Sequence, residues 1–143
     1  MAEKVTNTTV KTTTAKTTTK AASKKARRAT PEANIYITAS YNNTLMSLTE
    51  QNGNVLAQSS AGGCGFKGSR KATPYAATVT AEKLMQKAAE FGVQKVKIFL
   101  TGVGTGREQA VRGIQAAGLE LEAIFDITSK PHNGCRKKKR RRV

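Results

Sequence analysis

Charge is segregated along this chain of 143 residues, and the segregation limits where a fold can form. Seven consecutive cations, Arg136, Lys137, Lys138, Lys139, Arg140, Arg141 and Arg142, stand before the terminal Val143. Side by side they repel one another, so no packed domain gains from them unless a polyanion neutralises them. Residues 129–143 hold eight Lys or Arg and no carboxylate, and residues 1–32 hold eight against two. Residues 33–128 hold nine against seven, so a nearly neutral centre carries two cationic arms within a net charge of +16. Such arms point to nucleic acid as the partner. A solvated tail or a localisation signal is the rival reading.

Lys, Thr, Ala and Ser dominate residues 1–30, where Val5 and Val10 are the only large aliphatics. Such a stretch cannot bury enough apolar area to offset its ordering entropy. Three segments are expected: a disordered Lys/Thr-rich leader over 1–32, a globular α/β RNA-binding domain over 33–128, and a basic tail over 129–143. No apolar run follows the early lysines as in a signal peptide, and none approaches the ~20 residues of a membrane span. No membrane partner is expected. A transit peptide is the targeting rival, but the leader lacks amphipathic spacing and is poor in arginine. Cys64 and Cys135 form no Cys-x-x-Cys pair, which suits two reduced thiols in a cytoplasmic protein. His132 and Cys135 have metal-compatible spacing but no third or fourth ligand nearby, so no metal is expected.

The centre reads as strands and helices in turn. Asn34–Ala39 alternates apolar and polar residues as a strand does, and Thr44–Thr49 and Val55–Ser59 follow. Asn52-Gly53 between the last two suits the positive φ of a tight hairpin turn. After a glycine-rich, flexible loop over 61–71, Thr73 is placed to cap a helix with Pro74 at its first position. Ala77, Ala81, Leu84, Ala88 and Phe91 form one apolar stripe, and Gly92 ends it. A strand over Val96–Leu100, a second glycine loop, a helix over Arg107–Ala117 and a strand over Leu121–Thr128 complete the domain. In the second helix Ala110, Val111, Ile114 and Ala117 are expected to face inward. The order β-β-β-α-β-α-β implies a mixed sheet with parallel later strands, right-handed crossovers and flanking helices.

Neither glycine loop fits a nucleotide motif. Gly102-Val103-Gly104-Thr105-Gly106 lacks the spacing of a dinucleotide fingerprint, and Gly65–Lys71 lacks that of a phosphate-binding P-loop. No cofactor is expected. Glycines still let backbone N–H groups approach an anion, and Arg107 stands at a helix N-terminus, so an RNA phosphate would serve there. A plain strand-to-helix turn is the alternative. Lys67, Ser69, Arg70 and Lys71 suit backbone contacts that position RNA rather than read it. The strand order is also that of ribonuclease-H-like nucleases, which need clustered carboxylates for two metal ions. The first strand has no acid, no convergent set of three is visible, and the only histidine is His132, so no enzyme is expected.

Four segments carry a resemblance: Ala39–Thr44, Gly62–Ala77, Gly106–Glu108 and Pro131–Arg136. In order, they resemble the ribosomal protein S-eleven family of the small subunit, bacterial or organellar type, over residues 33–143. The resemblance implies a ribonuclease-H-like fold without its active site. It implies binding to small-subunit rRNA on the platform, near the mRNA exit path and the rRNA 3′ end, beside neighbouring small-subunit proteins. The location implied is the cytoplasmic or an organellar ribosome. By position, Asn42 and Asn43 would lie at an RNA-facing turn. Lys67, Ser69, Arg70, Lys71 and Arg107 would grip phosphate. The tail from His132 and Asn133 through Arg136, Lys137, Lys138, Lys139, Arg140, Arg141 and Arg142 would thread among rRNA helices.

Three features depart from the family pattern. Val103 and Thr105 stand where proline is usual, so the second loop should be less rigid. Lys137-Lys138 replaces a usual Pro-Pro, which adds charge and removes a stiff path. The leader has no counterpart. Asn133-Gly134 adds a chemical expectation: an unhindered nitrogen after Asn makes isoaspartate accessible, with an unmodified Asn as the alternative. A histone-like DNA-compacting protein would share the charge, but it would need an exposed wedge that the sequence lacks.

Overall fold

Alternation decides which side of each strand is covered. In β1 (Glu32–Ala39), Ala33, Ile35, Ile37 and Ala39 are buried, while Tyr36 and Thr38 face out. β2 (Thr44–Thr49) pairs antiparallel with β1, setting Ile37 opposite Met46. β3 (Val55–Ser60) pairs antiparallel with β2. The hairpin between them turns at Gly53, whose φ of +89° is open to glycine at no steric cost. The computed structural model describes residues 29–136, 138 and 139. Residues 1–28, Lys137, Arg140, Arg141, Arg142 and Val143 lie outside these, and with them most of the leader and part of the basic run.

α1 (Pro74–Ala89) begins as its sequence predicts: Thr73 Oγ1 accepts the Ala76 N–H at 3.3 Å, and Pro74 fills the first position. It buries Ala77, Ala81, Leu84 and Ala88, with Phe91 packed at the edge of the core. Gly92, at φ +66°, turns the chain toward β4 (Lys95–Thr101). α2 (Arg107–Ala116) and β5 (Glu120–Asp126) follow. β4 lies parallel to both β1 and β5, in the order β3-β2-β1-β4-β5. The mixed α/β sheet expected from the sequence is present. Ile35, Ile37, Leu48, Leu84, Ile98 and Ile114 lie in one continuous core.

Three expectations need correction, and one becomes more specific. The flanking helices share one face of the sheet. The connections β3 to β4 and β4 to β5 run the same way across the sheet, so right-handed crossovers put both helices on one side. The other face is left with a row of rings: Tyr36 stacks on Phe99 at 4.9 Å and Phe99 on Phe125 at 5.2 Å. Ala117 is exposed beyond the end of α2, and Gly113 is buried instead. A Cβ at Gly113 would lie 2.9 Å from that of Ala81, so glycine is what lets the two helices touch. β5 stops at Asp126 rather than Thr128. The Asp126 carboxylate accepts the Thr128 N–H at 3.0 Å and its hydroxyl at 2.6 Å, turning the chain off the strand. Lastly, the first glycine loop is not slack; Gly68–Ala72 winds into a 3-10 turn.

Candidate nucleic-acid interface

β1, β3, β4 and β5 all run in one direction, so their C-terminal ends share one end of the sheet. Every connection that leaves those ends carries residues singled out in the sequence. These are the β1–β2 turn, the loop before α1, the loop before α2, and the tail.

The β1–β2 turn is held by its own polar groups. Ser40 N–H donates to Asn43 O at 2.9 Å, and Asn43 N–H donates to Ser40 Oγ at 3.0 Å. Asn43 Oδ1 accepts the Thr44 N–H at 3.0 Å, so that side chain is half-buried and already engaged. Asn42 is exposed at the tip. Beside it, Tyr41 is 76 % exposed.

The loop before α2 lies directly on this turn. Gly104 N–H donates to Ala39 O at 2.9 Å. A Cβ at Gly102 would sit 2.2 Å from Ala39 O, and one at Gly104 would sit 2.3 Å from Ser40 O. Only glycine allows that approach. Thr105 Oγ1 donates to Ala72 O at 2.7 Å, tying the same loop to the segment before α1. Three separate stretches of sequence are thereby fastened into one surface.

In the loop before α1, the Cys64 N–H donates to Ser60 O at 3.0 Å and the Phe66 N–H to Ala61 O at 3.2 Å. Phe66 meets Tyr75 edge to face at 6.0 Å, and Tyr75 is 70 % exposed. Lys67, Ser69 and Arg70 are exposed on the 3-10 turn and its approach, with Lys71 half-buried. Among the described residues, none of these three cations forms an ion pair.

Arg107 is differently placed. Its guanidinium donates to Gly102 O at 2.7 Å and Thr128 Oγ1 at 3.1 Å, and pairs with Asp126. That hydrogen bond, with those from the Thr128 hydroxyl and N–H, holds the Asp126 carboxyl well below the usual carboxylate range. Arg107 therefore latches the end of β5 to the second glycine loop. In the tail, His132, Asn133, Arg136, Lys138 and Lys139 are exposed. Asn133 adopts φ +58°, a left-handed conformation that asparagine tolerates. Lys137, Arg140, Arg141 and Arg142 lie outside the described residues.

Comparison with known proteins shows the family. The model of the family described as "Ribosomal protein S11" matches residues 33–142. The chain is also 50% identical over 120 residues to the small ribosomal subunit protein uS11 of Borreliella burgdorferi (strain ZS7). That match takes in 84% of this chain and 92% of the relative. The chain belongs to the ribosomal protein S11 family. Its members are structural proteins, so this chain is not an enzyme and is at home in the ribosome.

As a ribosomal protein S11, the chain presents features at the loop end that sequence reasoning passed over. Tyr41 and Tyr75 stand out into solvent, and the signal for them was available. Tyr41 directly precedes Asn-Asn in a turn, and Tyr75 falls off the apolar stripe of α1. The Arg107–Asp126–Thr128 latch left no such signal, because its members meet only once β5 lies beside β4. Among the described residues no group of three His, Cys, Asp or Glu could hold a metal ion. Among them, too, no helix is long and apolar enough to cross a membrane.

Proposed function

We propose that this chain is a structural constituent of the small ribosomal subunit that binds small-subunit rRNA through the loop end and the tail. The observation that carries this reading is the convergence of three loops and the tail on one end of the sheet, where Lys67, Arg70 and Lys71 have no ion-pair partner among the described residues. Unpaired cations release counterions when they meet phosphate, which is the main source of affinity for a nucleic-acid backbone. Asn42 and Ser69 offer hydrogen bonds beside them, and Tyr41 and Tyr75 offer open ring faces to unstacked bases. The Arg107 charge is matched by Asp126, so Arg107 contributes more by shaping the rim than by attracting phosphate.

The finer placement comes from the family. The platform, the mRNA exit path and the rRNA 3′ end form its setting, with neighbouring small-subunit proteins as further partners. The fold reads as ribonuclease-H-like in strand order, and the one carboxylate of β1 is Glu32 at its first residue, at the opposite end from the loops. Residues 1–32, 33–128 and 129–143 serve as leader, RNA-binding domain and threading tail.

The test is binding to small-subunit rRNA by a variant carrying Lys67→Ala, Arg70→Ala and Lys71→Ala. Its affinity should fall, and the slope of log K against log salt should flatten by roughly two to three. Its urea midpoint should stay unchanged. Equal affinity for duplex DNA and folded rRNA at the same salt would favour a DNA-compacting role and sink this reading.

A further inference from the structure

β5 is composed as an interior strand but sits at an edge. Its C-terminal half carries apolar side chains on consecutive residues. Ile124, 51 % exposed, lies along a depression of about 410 Å³ between β5 and α2, lined also by Leu100 and Val111 and by the charged Arg107, Glu108 and Arg112. Phe125, 45 % exposed, stands on the opposite face as the last ring of the Tyr36–Phe99–Phe125 row. Ile127, just past the strand, is 49 % exposed. Apolar residues on both faces are the pattern of a strand covered on both sides. Among the described residues, however, β5 pairs with β4 alone. Its outer backbone groups are thus a template for another strand.

Charge and ring geometry decide what would cover it. Each carboxylate of β5 is matched within the chain: Glu120 by Lys95 at 3.6 Å, Glu122 by Lys97 at 3.4 Å, and Asp126 by Arg107. On α2, Arg112 lies 4.0 Å from Glu108, so among the described residues the cations and carboxylates of this corner cancel and leave little net charge for a polyanion. The rings argue the same way. They lie within 14° and 20° of parallel, stacked on one another, so most of the faces a nucleobase would need are already occupied. A weakly charged protein segment with alternating apolar residues suits the surface on both counts.

The geometry points to β5 as a docking edge to which a neighbouring protein adds an extended strand. Side chains of the added strand would alternate between the Ile124 depression and the outer end of the ring row. This rests on the small-subunit reading above, since the neighbour is sought in the assembled subunit.

The full chain, with a benzophenone amino acid in place of Ile127, is assembled into small subunits and irradiated. The expected product is a crosslink to another ribosomal protein, within a segment of alternating apolar residues. In parallel, Ile124→Glu should lose to the unsubstituted chain in competitive assembly by about tenfold or more. Its binding to naked rRNA should stay unchanged. If that variant does not fold, Ile127→Lys, beyond the strand, should show the same disadvantage. A crosslink to rRNA, a crosslink to a second copy of the chain, or none at all in assembled subunits overturns the proposal alone. Failure of the unsubstituted chain to enter subunits, seen by gradient sedimentation, overturns the ribosomal reading and this proposal with it.

Discussion

A methyl group at position 104 would meet the Ser40 carbonyl oxygen at 2.3 Å, and one at position 102 would meet that of Ala39 at 2.2 Å. Both obstacles are backbone, which cannot swing aside as a side chain can. Gly102→Ala must also hold a β-carbon at φ +94°. It should cost about 2–4 kcal/mol from overpacking and strain together, read from the urea midpoint. Gly53→Ala shares the positive φ but meets nothing within 4 Å, and should cost about 1 kcal/mol. Equal losses at the two positions would show that the close approach does not matter. Asp126 makes a different prediction. Its carboxyl is held low in the folded chain, chiefly by Arg107 and then by Thr128, so the unfolded chain takes up the proton first. The stabilisation is present above about pH 4 and fades as pH falls below it, so stability rises with pH through that window. Asp126→Asn should therefore flatten the acid limb of a stability–pH curve measured by denaturant midpoints. Because the side chain is half-exposed, added salt should shrink the effect.

Among the elements, α1 depends most visibly on one side chain. Thr73 Oγ1 accepts from Ala76 and donates to the Arg70 carbonyl at 2.8 Å, so it fastens the helix start and the 3-10 turn together. Thr73→Ala should cost about 1 kcal/mol in thermal or urea unfolding and should also weaken rRNA binding, because Arg70 and Lys71 lose their footing. Elements of this kind were legible from sequence because their signals are local. Thr-Pro opens α1, Asn-Gly turns the hairpin, and alternation marks β1 and β2. Parallel pairing of the later strands followed from the crossover order. What escaped was set by contact between distant segments. The one-sided placement of the helices depends on strand order, which no single segment encodes. Gly113 rather than Ala117 faces inward because Ala81 of the other helix lies there. The end of β5 is fixed by Asp126 reaching forward to Thr128 and across to Arg107. Of the candidate interface, the cationic loops could be named in advance. Their meeting at one end could not, since it depends on glycines whose neighbours lie across the sheet.

Over the whole molecule, charge and topology act together. The body is nearly neutral, and its loop cations, unpaired among the described residues, share an end of the sheet with the exit of the basic tail. If the arms and loops neutralise about six phosphates, log K for rRNA should fall by roughly five units per tenfold rise in salt. Removing residues 136–143 should flatten that slope in filter-binding titrations across salt; an unchanged slope would deny the tail its role. β1 lies between β2, its neighbour in sequence, and β4, with Glu32 set beside Lys95 across an intervening meander and helix. A nascent chain that has reached only β3 still lacks Gly102 and Gly104, which rest upon the first turn. The gripping end is complete only once β4 lies beside β1. A prematurely terminated copy would therefore meet rRNA with loose cations and no shaped hold.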